Sequence, residues 1–374
     1  MNILFYCGGF APLGGIETFC KNLLNLLQTR GHHCSLVCWG QRSPLLQTIE
    51  QTNVTVMRSP WRWGCQWNLP DWFLLPIGLQ PVKQADVILL NKLFPLKILK
   101  RLRLQAGDHR KLVYITAYRP SEVFITSEQR LILEALNLFD LILVQSSTFE
   151  KDLRQMGYSG AIETLPLLVQ TAHTVHAFPL DTEFKVGFLG RLVEDKNIPL
   201  LLKAFSCFQT QFLQCNLLES KHQKPSLHLF GTGHLQKPLE HLVEQLGLAS
   251  SVVFHGNIPS NEIEQAIASC HVFVFSSLRE GQCLSALEIL SCGRPIVATS
   301  IGAFPEILSD TRLGRLVQQA TPTDIADALI EIATLIKQQR TTPESIQAAY
   351  QERYSPEAIG DRYEKVLHSL LLTK

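Results

Sequence analysis

The chain has 374 residues, of which 46% are hydrophobic and 18% charged, and its formal net charge is +1 at pH 7. A chain of this length exceeds the usual size of one hydrophobic core, so we expect two domains. The small net charge gives no overall attraction to nucleic acid, and no stretch reaches the roughly 18 consecutive apolar residues of a membrane span. Since the N-terminus shows no signal-peptide pattern, we expect a cytoplasmic protein without a spanning helix.

Ten cysteines are dispersed along the chain without a Cys-x-x-Cys pair. Several lie in apolar runs, among them Cys7, Cys34 and Cys270, which is typical of reduced core thiols. The pattern therefore predicts neither a disulfide framework nor a zinc site.

The first part of the chain opens as a Rossmann-like βαβ unit. Asn2–Cys7 predicts a strand, Ile16–Arg30 a helix and His32–Trp39 a second strand. The glycines of the first loop do not fit G-x-G-x-x-G, and the second strand does not end in the acidic residue that would bind a ribose hydroxyl. We therefore expect no dinucleotide cofactor.

Basic residues are concentrated before residue 170. Residues 1–170 carry a net charge of +5, and Lys92–Lys111 holds seven Lys or Arg against one acidic residue. Four of the five tryptophans lie nearby, in Arg58–Pro76. Cations beside an apolar stripe and aromatic residues predict a surface that contacts an anionic membrane or holds a lipid-linked acceptor. A solvated helix above a tryptophan-rich core loop is the alternative.

The strongest functional pattern lies in the last third of the chain, where a strand, a loop and a helix follow one another. His271–Phe275 predicts a buried strand, and residues 276–283 predict a polar turn. A helix should follow, with Ser285 as its N-cap, Glu288 at the capping-box position and Gly293 at its end. Such a unit directs backbone N–H groups and a helix N-terminus at one point, where an anionic phosphate binds.

Two carboxylates flank that point, Glu280 in the loop and Glu288 in the helix. The surrounding residues resemble the retaining glycosyltransferases of the GT-B fold, the large family of glycogen synthase, sucrose synthase and bacterial mannosyl- and glucosyltransferases. The residues that match the family pattern are Glu280, Gly281, Glu288, Cys292, Gly293, Pro295, Ala298, Gly302, Pro305 and Glu306. Gln282 and Cys283 depart from its E-G-x-G spacing.

A second part of the resemblance begins at the predicted strand Phe184–Leu189. It continues as G-R-L-x-x-x-K-N, in which Arg191 and Lys196 match residue for residue, and a helix is predicted from Pro199 to Phe212. In the family these two cations bind the diphosphate of the donor. The glycine segments that follow the next two strands resemble those around the base and ribose.

The resemblance implies an α/β protein of the GT-B fold, with two Rossmann-like domains facing across a cleft. Residues 1–170 would form the acceptor-binding domain and 184–354 the nucleotide-sugar donor domain, while helix 355–374 would cross back to the N-terminal domain. The implied donor-binding residues are Gly190, Gly231, Gly233, Gly256, Asn257, Ile258, Gly281, Gln282, Cys283, Leu284 and Glu288. The implied cleft for sugar and acceptor includes Gly14, Gly15, Glu17 and Tyr118, the last replacing a histidine often found in the family.

We therefore expect a retaining glycosyltransferase that moves a hexose from a nucleoside diphosphate sugar to a glycan or lipid-linked acceptor. The resemblance implies that Arg191, Lys196 and the N–H groups of Gly281–Leu284 stabilise the leaving diphosphate. Glu280 would hold sugar hydroxyls and Glu288 the ribose. Because no Asp-x-Asp motif occurs, we expect no essential metal. A nucleotide-sugar epimerase of the same fold and a non-catalytic sugar-nucleotide-binding scaffold are the alternatives.

Overall fold

The computed structural model describes residues 1–9, 15–39, 44–52, 54–59, 79–116, 128–169, 174–179, 183–215 and 224–372. The chain divides into two compact units. Unit 1 consists of Met1–Val169 with Pro356–Lys374, and unit 2 consists of Gln170–Ser355.

Strands and helices alternate along the first part of unit 1. Its described elements are β1 (Asn2–Gly9), α1 (Gly15–Thr29), β2 (His33–Trp39), α2 (Pro44–Glu50), β3 (Thr55–Ser59), α3 (Leu79–Gln84), β4 (Val87–Leu90), α4 (Leu96–Ala106), β5 (Lys111–Ile115), α5 (Gln129–Leu136), β6 (Leu141–Val144), α6 (Ser147–Gln155) and β7 (Ile162–Thr164). The sheet order is β3-β2-β1-β4-β5-β6-β7, and every pair is parallel. Strands β4 and β6 are buried at every residue, as expected for parallel strands covered on both faces.

Unit 2 repeats the same alternation. Its described elements are β8 (Lys185–Leu189), α7 (Ile198–Gln214), β9 (Ser226–Phe230), α8 (Gln236–Gln245), β10 (Val252–Gly256), α9 (Ile263–Ala268), β11 (Val272–Phe275), α10 (Leu284–Ser291), β12 (Ile296–Thr299), α11 (Phe304–Ile307), β13 (Gly314–Val317), α12 (Pro322–Lys337) and α13 (Pro343–Tyr354). The sheet order is β10-β9-β8-β11-β12-β13, again parallel throughout. Three phenylalanines of α7 are buried, and two of them, Phe208 and Phe212, pack on Phe184 just before β8.

The C-terminal helix α14 (Pro356–Leu372) belongs to unit 1. Arg30, just after α1, binds Asp361 and Glu364 with nitrogen–oxygen distances of 2.7 Å each. A Cβ at Gly360 would lie 2.6 Å from the Arg30 guanidinium, so the helix backbone passes directly over this side chain. Tyr363 is fully buried on the same helix. Ion pairs and apolar packing together hold the chain's last helix on the unit that contains its first strand.

Residue Arg294 ties an irregular segment to the rest of unit 2. Its guanidinium is fully buried and donates to the carbonyls of His176, Ala177 and Ala268 over 2.8, 3.0 and 2.9 Å. It also lies over the Phe178 ring, 4.9 Å from the centroid. Burial lowers the pKa of Arg294 to about 10, which still leaves it charged at neutral pH.

The predicted α/β fold with two sheets is confirmed, and two local expectations differ from the structure. Strand β7 was not predicted, because the three residues Ile162-Glu163-Thr164 are too few to show an alternating pattern. Helix α10 begins at Leu284 with Cys283 as its N-cap and no side-chain capping bond, so the capping box at Ser285 and Glu288 was wrong. The tryptophan-rich segment lies almost entirely outside the described residues. Of the helices in the described part of the chain, none has the length and apolar character to cross a membrane.

Candidate active site

The strand order of unit 2 reverses between β8 and β11. In parallel α/β sheets the carboxyl ends of the two strands at such a reversal border a crevice in which ligands bind. The loops at this point are residues 190–197, after β8, and residues 276–283, after β11. A direct bond joins them, because the Leu278 N–H donates to the Asp195 carbonyl over 2.8 Å. Both predicted phosphate-binding loops therefore lie side by side at the reversal point.

Glycines allow the loop after β8 to pack closely on the loop after β9. The Gly190 N–H donates to the Phe230 carbonyl over 2.9 Å. A Cβ at Gly231 would lie 2.0 Å from the Gly190 carbonyl oxygen, and one at Gly233 would lie 2.1 Å from that of Leu192. Any side chain at Gly231 or Gly233 would therefore separate the two loops, which explains the residue type at these predicted positions.

Lys196 and Glu280 form the central ion pair of the crevice. The Lys196 Nζ lies 2.5 Å from Glu280 Oε1, and the two side chains are only 17% and 7% exposed. The Ser277 hydroxyl donates to the same oxygen over 2.8 Å. Both bonds end on Oε1, so Oε2 of Glu280 accepts no bond from a described residue. Burial alone would lower the pKa of Lys196, but the nearby Glu280 carboxylate outweighs it and raises that pKa.

Arg191 is the second predicted cation and lies on the same loop as Lys196. Its side chain is exposed, and within the described residues it has no hydrogen-bond or ion-pair partner. The positive charge of Arg191 disfavours the charged form of Lys196, which indicates that the two cations are close enough to repel each other. The neighbouring Arg279, in contrast, already lies 3.5 Å from Asp195. Among the described residues, Arg191 is thus a cation with no partner beside a buried ion pair, which is an arrangement that attracts an anion.

Glu288, the second predicted carboxylate, lies on α10 and is half-buried. Burial raises the pKa of Glu288 to about 7, so near neutral pH this carboxyl exists in both protonation states. No described residue bonds to its side chain. A carboxyl with a strongly shifted pKa at the edge of a crevice is a candidate functional group with a stated physical cause.

Cys283 has an unusual backbone conformation, with φ 23° and ψ 81°. Positive φ favours glycine, and the family pattern has its second glycine here, so the departure noted in the sequence falls on a strained position. Its Sγ lies 3.4 Å from the Ser285 hydroxyl. Burial and the nearby Glu280 raise the pKa of the Cys283 thiol to about 12, which keeps it neutral. Gln282 is buried beside it.

The predicted base-binding segment follows β10. The Gly231 N–H donates to the Gly256 carbonyl over 2.7 Å, which brings this segment against the glycine loop after β9. Asn257 is exposed and Ile258 half-buried. Just before them His255 lies stacked on Phe230, with ring centroids 4.4 Å apart.

The predicted residues of unit 1 are only partly described. Gly14 and Tyr118 lie outside the described residues. Gly15 is the first residue of α1, and Glu17 is a half-buried residue in its first turn. Their role in a cleft for sugar and acceptor stays a prediction.

Two side chains of the crevice were missed by the sequence reasoning. Ser277 orients Glu280, and His234 binds Glu194 across 2.8 Å between two loops at the sheet edge. A serine three residues before the acid was the available signal for the first contact. The second joins residues 40 positions apart, for which the sequence offers no local pattern.

Within the described residues, no three His, Cys, Asp or Glu side chains form a group that could hold a metal ion.

Comparisons with known proteins agree with this geometry. A family model described as Glycosyltransferase Family 4 matches residues 13–173, and one described as Glycosyl transferases group 1 matches residues 172–351. The second match contains the whole of the crevice. Together the two matches run from residue 13 to residue 351, so both units of the chain match glycosyltransferase models.

Curated relatives match mainly part of the chain. D-inositol 3-phosphate glycosyltransferase of Paenarthrobacter aurescens is 38% identical over 40% of this chain and 35% of its own length. Poly(ribitol-phosphate) alpha-N-acetylglucosaminyltransferase of Staphylococcus aureus is 22% identical over 71% of this chain and 50% of its own length. The chain thus spans about a third to a half of these two curated relatives.

Solved structures match the chain over nearly its full length. Anabaena HepE in complex with UDP superposes with a TM-score of 0.74 at 20% identity, covering 99% of this chain and all of that one. Sucrose-phosphate synthase from Thermosynechococcus elongatus gives 0.75 at 17% identity and covers both chains completely. At these identities the likeness concerns the fold, which is that of the GT-B glycosyltransferases.

Proposed function

We propose that this glycosyltransferase moves a hexose from a nucleoside diphosphate sugar to a hydroxyl of a glycan or lipid-linked acceptor, with retention of configuration at the anomeric carbon. The observation that carries the proposal is the Lys196–Glu280 ion pair at the reversal point of a sheet, beside Arg191, which bonds to no residue that the structure describes. Two cations and one carboxylate suit a ligand that has both phosphates and hydroxyls. HepE was solved with UDP, with UDP and glucose, and with UDP-glucose, which supports a uridine nucleotide as the first donor to test.

The cations act on the leaving group. When the bond between the anomeric carbon and the diphosphate breaks, negative charge grows on the phosphate oxygens. Lys196 has three N–H donors, and Glu280 takes one, so two remain for a phosphate. Arg191 adds a second, exposed cation. Because these charges are held in place before the reaction, they stabilise the transition state more than the bound substrate.

The carboxylates act on hydroxyls. Oε1 of Glu280 is occupied by Lys196 and Ser277, which leaves Oε2 to accept from a hydroxyl of the transferred sugar. Glu288, lacking a partner within the described residues, would accept from the ribose hydroxyls in its ionised form. Neither carboxylate then needs to act as a nucleophile. The acceptor oxygen forms its bond on the face that the diphosphate leaves, and its proton passes to the departing phosphate oxygen.

Donor identity can be tested without knowing the acceptor. Ligand binding to the folded state alone raises stability by about 2.7 kcal/mol at 100 times Kd, so a thermal-shift screen of UDP-, GDP- and ADP-sugars should show one class raising Tm. Arg191→Ala is the matched control, because this exposed side chain bonds to no described residue and its loss should leave the ligand-free Tm unchanged. Equal Tm shifts for wild type and Arg191→Ala would contradict the diphosphate assignment.

Stereochemistry and metal dependence need product analysis. With the donor identified, NMR of the transferred sugar in the product should show the anomeric configuration of the donor, whereas an epimerase would return a free altered nucleotide sugar. Turnover should persist in EDTA, since Lys196, Arg191 and the N-terminus of α10 supply the positive charge that a metal supplies elsewhere. Loss of turnover in EDTA that Mg²⁺ or Mn²⁺ restores would overturn the metal-independent mechanism.

A further inference from the structure

The exposed face of α4 carries only cations and one leucine. The buried face of this helix consists of Leu99, Leu102 and Ala106. Leu104 lies on the opposite side and is 82% exposed. At 100° per residue it is roughly 20° from Lys97 and about 40° to 60° from Lys100 and Arg101 around the helix axis, and all three cations are exposed. An exposed apolar side chain thus stands at the centre of a basic face.

The adjacent helix α5 extends this face. Lys100 and Glu134 join the two helices with a nitrogen–oxygen distance of 2.6 Å. On the exposed side of α5 lie Arg130 and Leu131, and the leucine is 55% exposed. We call Lys97, Lys100, Arg101, Leu104, Arg130 and Leu131 the basic face. The residues of α4 include no acid, and those of α5 include only Glu134, which is already paired.

Arg103, one of the cations of Lys92–Lys111, does not belong to the basic face. Arg103 turns toward the sheet, where its two terminal nitrogens bind both oxygens of Asp140 over 2.7 and 3.1 Å. Asp140 also accepts from the Leu112 N–H over 2.7 Å. Arg103 is therefore a structural arginine that fixes α4 on β5 and β6, and the basic face is smaller and more apolar than the sequence indicated.

We propose that the basic face docks unit 1 on an anionic lipid bilayer, with Leu104 and Leu131 entering the interface between headgroups and acyl chains. The positive charge of the basic face favours an anionic partner. The two exposed leucines favour a bilayer over a nucleic acid, because a bilayer has an apolar interior that a leucine can enter and a phosphate backbone has none. Each cation near an anionic membrane surface favours binding by about fivefold, so a face of this size gives reversible, salt-sensitive attachment without a spanning helix. The proposal does not depend on which donor or acceptor the enzyme uses.

Vesicle sedimentation tests it with the full-length protein. The probes are sucrose-loaded vesicles of phosphatidylglycerol and phosphatidylcholine in a 3:7 ratio, with pure phosphatidylcholine vesicles for comparison. Wild type should sediment with the anionic vesicles at 50 mM NaCl and be released at 500 mM NaCl. K97Q/R101Q/R130Q should lose about 100-fold in partition coefficient. L104Q/L131Q should lose at least tenfold while keeping the salt dependence, which a purely electrostatic contact would not show.

Matched controls come from unit 2. K203Q/K224Q/K237Q removes three exposed lysines, and L213Q removes a leucine that is 42% exposed, so both should sediment like wild type. Circular dichroism and Tm establish that each variant is folded. Equal loss in the K203Q/K224Q/K237Q control would mean that only net charge matters, and failure of the wild type to bind anionic vesicles at low salt would overturn the proposal. If the wild type binds and L104Q/L131Q sediments just as well, the two leucines take no part in binding, and the proposed insertion into the bilayer is wrong.

Discussion

The sheets of the two units follow the same strand order, with β7 added in unit 1, and differ in the residues at their carboxyl edges. In unit 2 the reversal point between β8 and β11 carries the charged groups Lys196 and Glu280. In unit 1 the equivalent point lies between β1 and β4, where the buried Asn91 amide donates to the thiols of Cys7 and Cys20 over 3.0 and 3.3 Å. The fold thus supplies a crevice twice, and the side chains decide what each crevice can bind.

Polar groups without charge continue along the unit 1 edge. Thr116 follows β5 and Gln145 follows β6; both are buried, and the Thr116 hydroxyl donates to Gln145 Oε1 over 3.1 Å. The Gln145 Nε2 has no hydrogen-bond partner within the described residues. A neutral amide cannot balance a diphosphate, whereas Lys196 and Arg191 can. The contrast between these described residues supports the proposal that the nucleotide binds unit 2.

The largest expected effect is on turnover, at the charged edge. Lys196→Ala and Arg191→Ala should each lower kcat by about 100-fold or more, because each removes a charge-assisted contact that strengthens in the transition state. Steady-state kinetics under saturating donor measures the loss. Lys203→Ala, an exposed lysine on α7, is the control and should retain full activity. Near wild-type turnover of Arg191→Ala would show that the charged edge does not hold the leaving group.

The same ion pair predicts that Lys196 and Arg191 differ in how much each contributes to the free energy of unfolding. Lys196→Ala should lower the free energy of unfolding by about 2 kcal/mol, since it leaves the buried Glu280 carboxylate without its partner. Arg191→Ala should change it little, because that side chain is exposed. Urea denaturation provides both values. The double variant Lys196→Ala/Glu280→Gln should recover most of the loss, and a double variant no more stable than Lys196→Ala would contradict the pairing argument.

The neutral edge should respond through hydrogen bonding alone. Thr116→Val leaves the buried Gln145 amide without a partner at either end, which should cost about 1.5 kcal/mol of unfolding free energy. Thr116→Val/Gln145→Leu should be close to wild type, because removing both members of a buried polar pair avoids the unsatisfied group. Thermal denaturation compares the three proteins. If the double variant were less stable than Thr116→Val, the Gln145 amide would have a second hydrogen-bond partner, and the pairing with Thr116 would not explain its stability.

The smallest expected effect is the pH dependence of donor binding. The pKa of Glu288 is raised to about 7, and only its ionised form can accept two ribose hydroxyls. Lowering the pH from 8 to 6 protonates most of this carboxyl, so donor affinity should fall by about tenfold as pH drops and level off above pH 8. Isothermal titration across this range measures it. Glu288→Gln should bind weakly with no such slope, and an unchanged slope in that variant would assign the titration to another group.

Local sequence pattern predicted most of the strands and helices that the structure describes. The candidate site residues Arg191, Lys196, Glu280 and Glu288 were named from the family resemblance, and their roles stay a prediction. The contact between Lys196 and Glu280 could not be predicted, since it joins residues 84 positions apart and depends on how two loops pack. The prediction that Arg103 belongs with the surface cations was wrong for the same reason. Arg103 and Arg101 look alike in the sequence, and only the position of Asp140 separates the structural arginine from the surface one.

The buried Arg294 determines where unit 2 begins as an independently folding piece. Two of the carbonyls that satisfy its guanidinium belong to His176 and Ala177, eight or more residues before β8. A fragment starting at the first residue of β8 would contain the whole sheet and the whole crevice, yet it would leave a buried cation without two of its acceptors and without the Phe178 ring. An unpaired buried charge costs several kcal/mol, a large part of the total stability of a domain. The autonomous unit therefore includes the irregular residues 174–179, and a short segment without helix or strand is as much a part of its interior as any strand of the sheet.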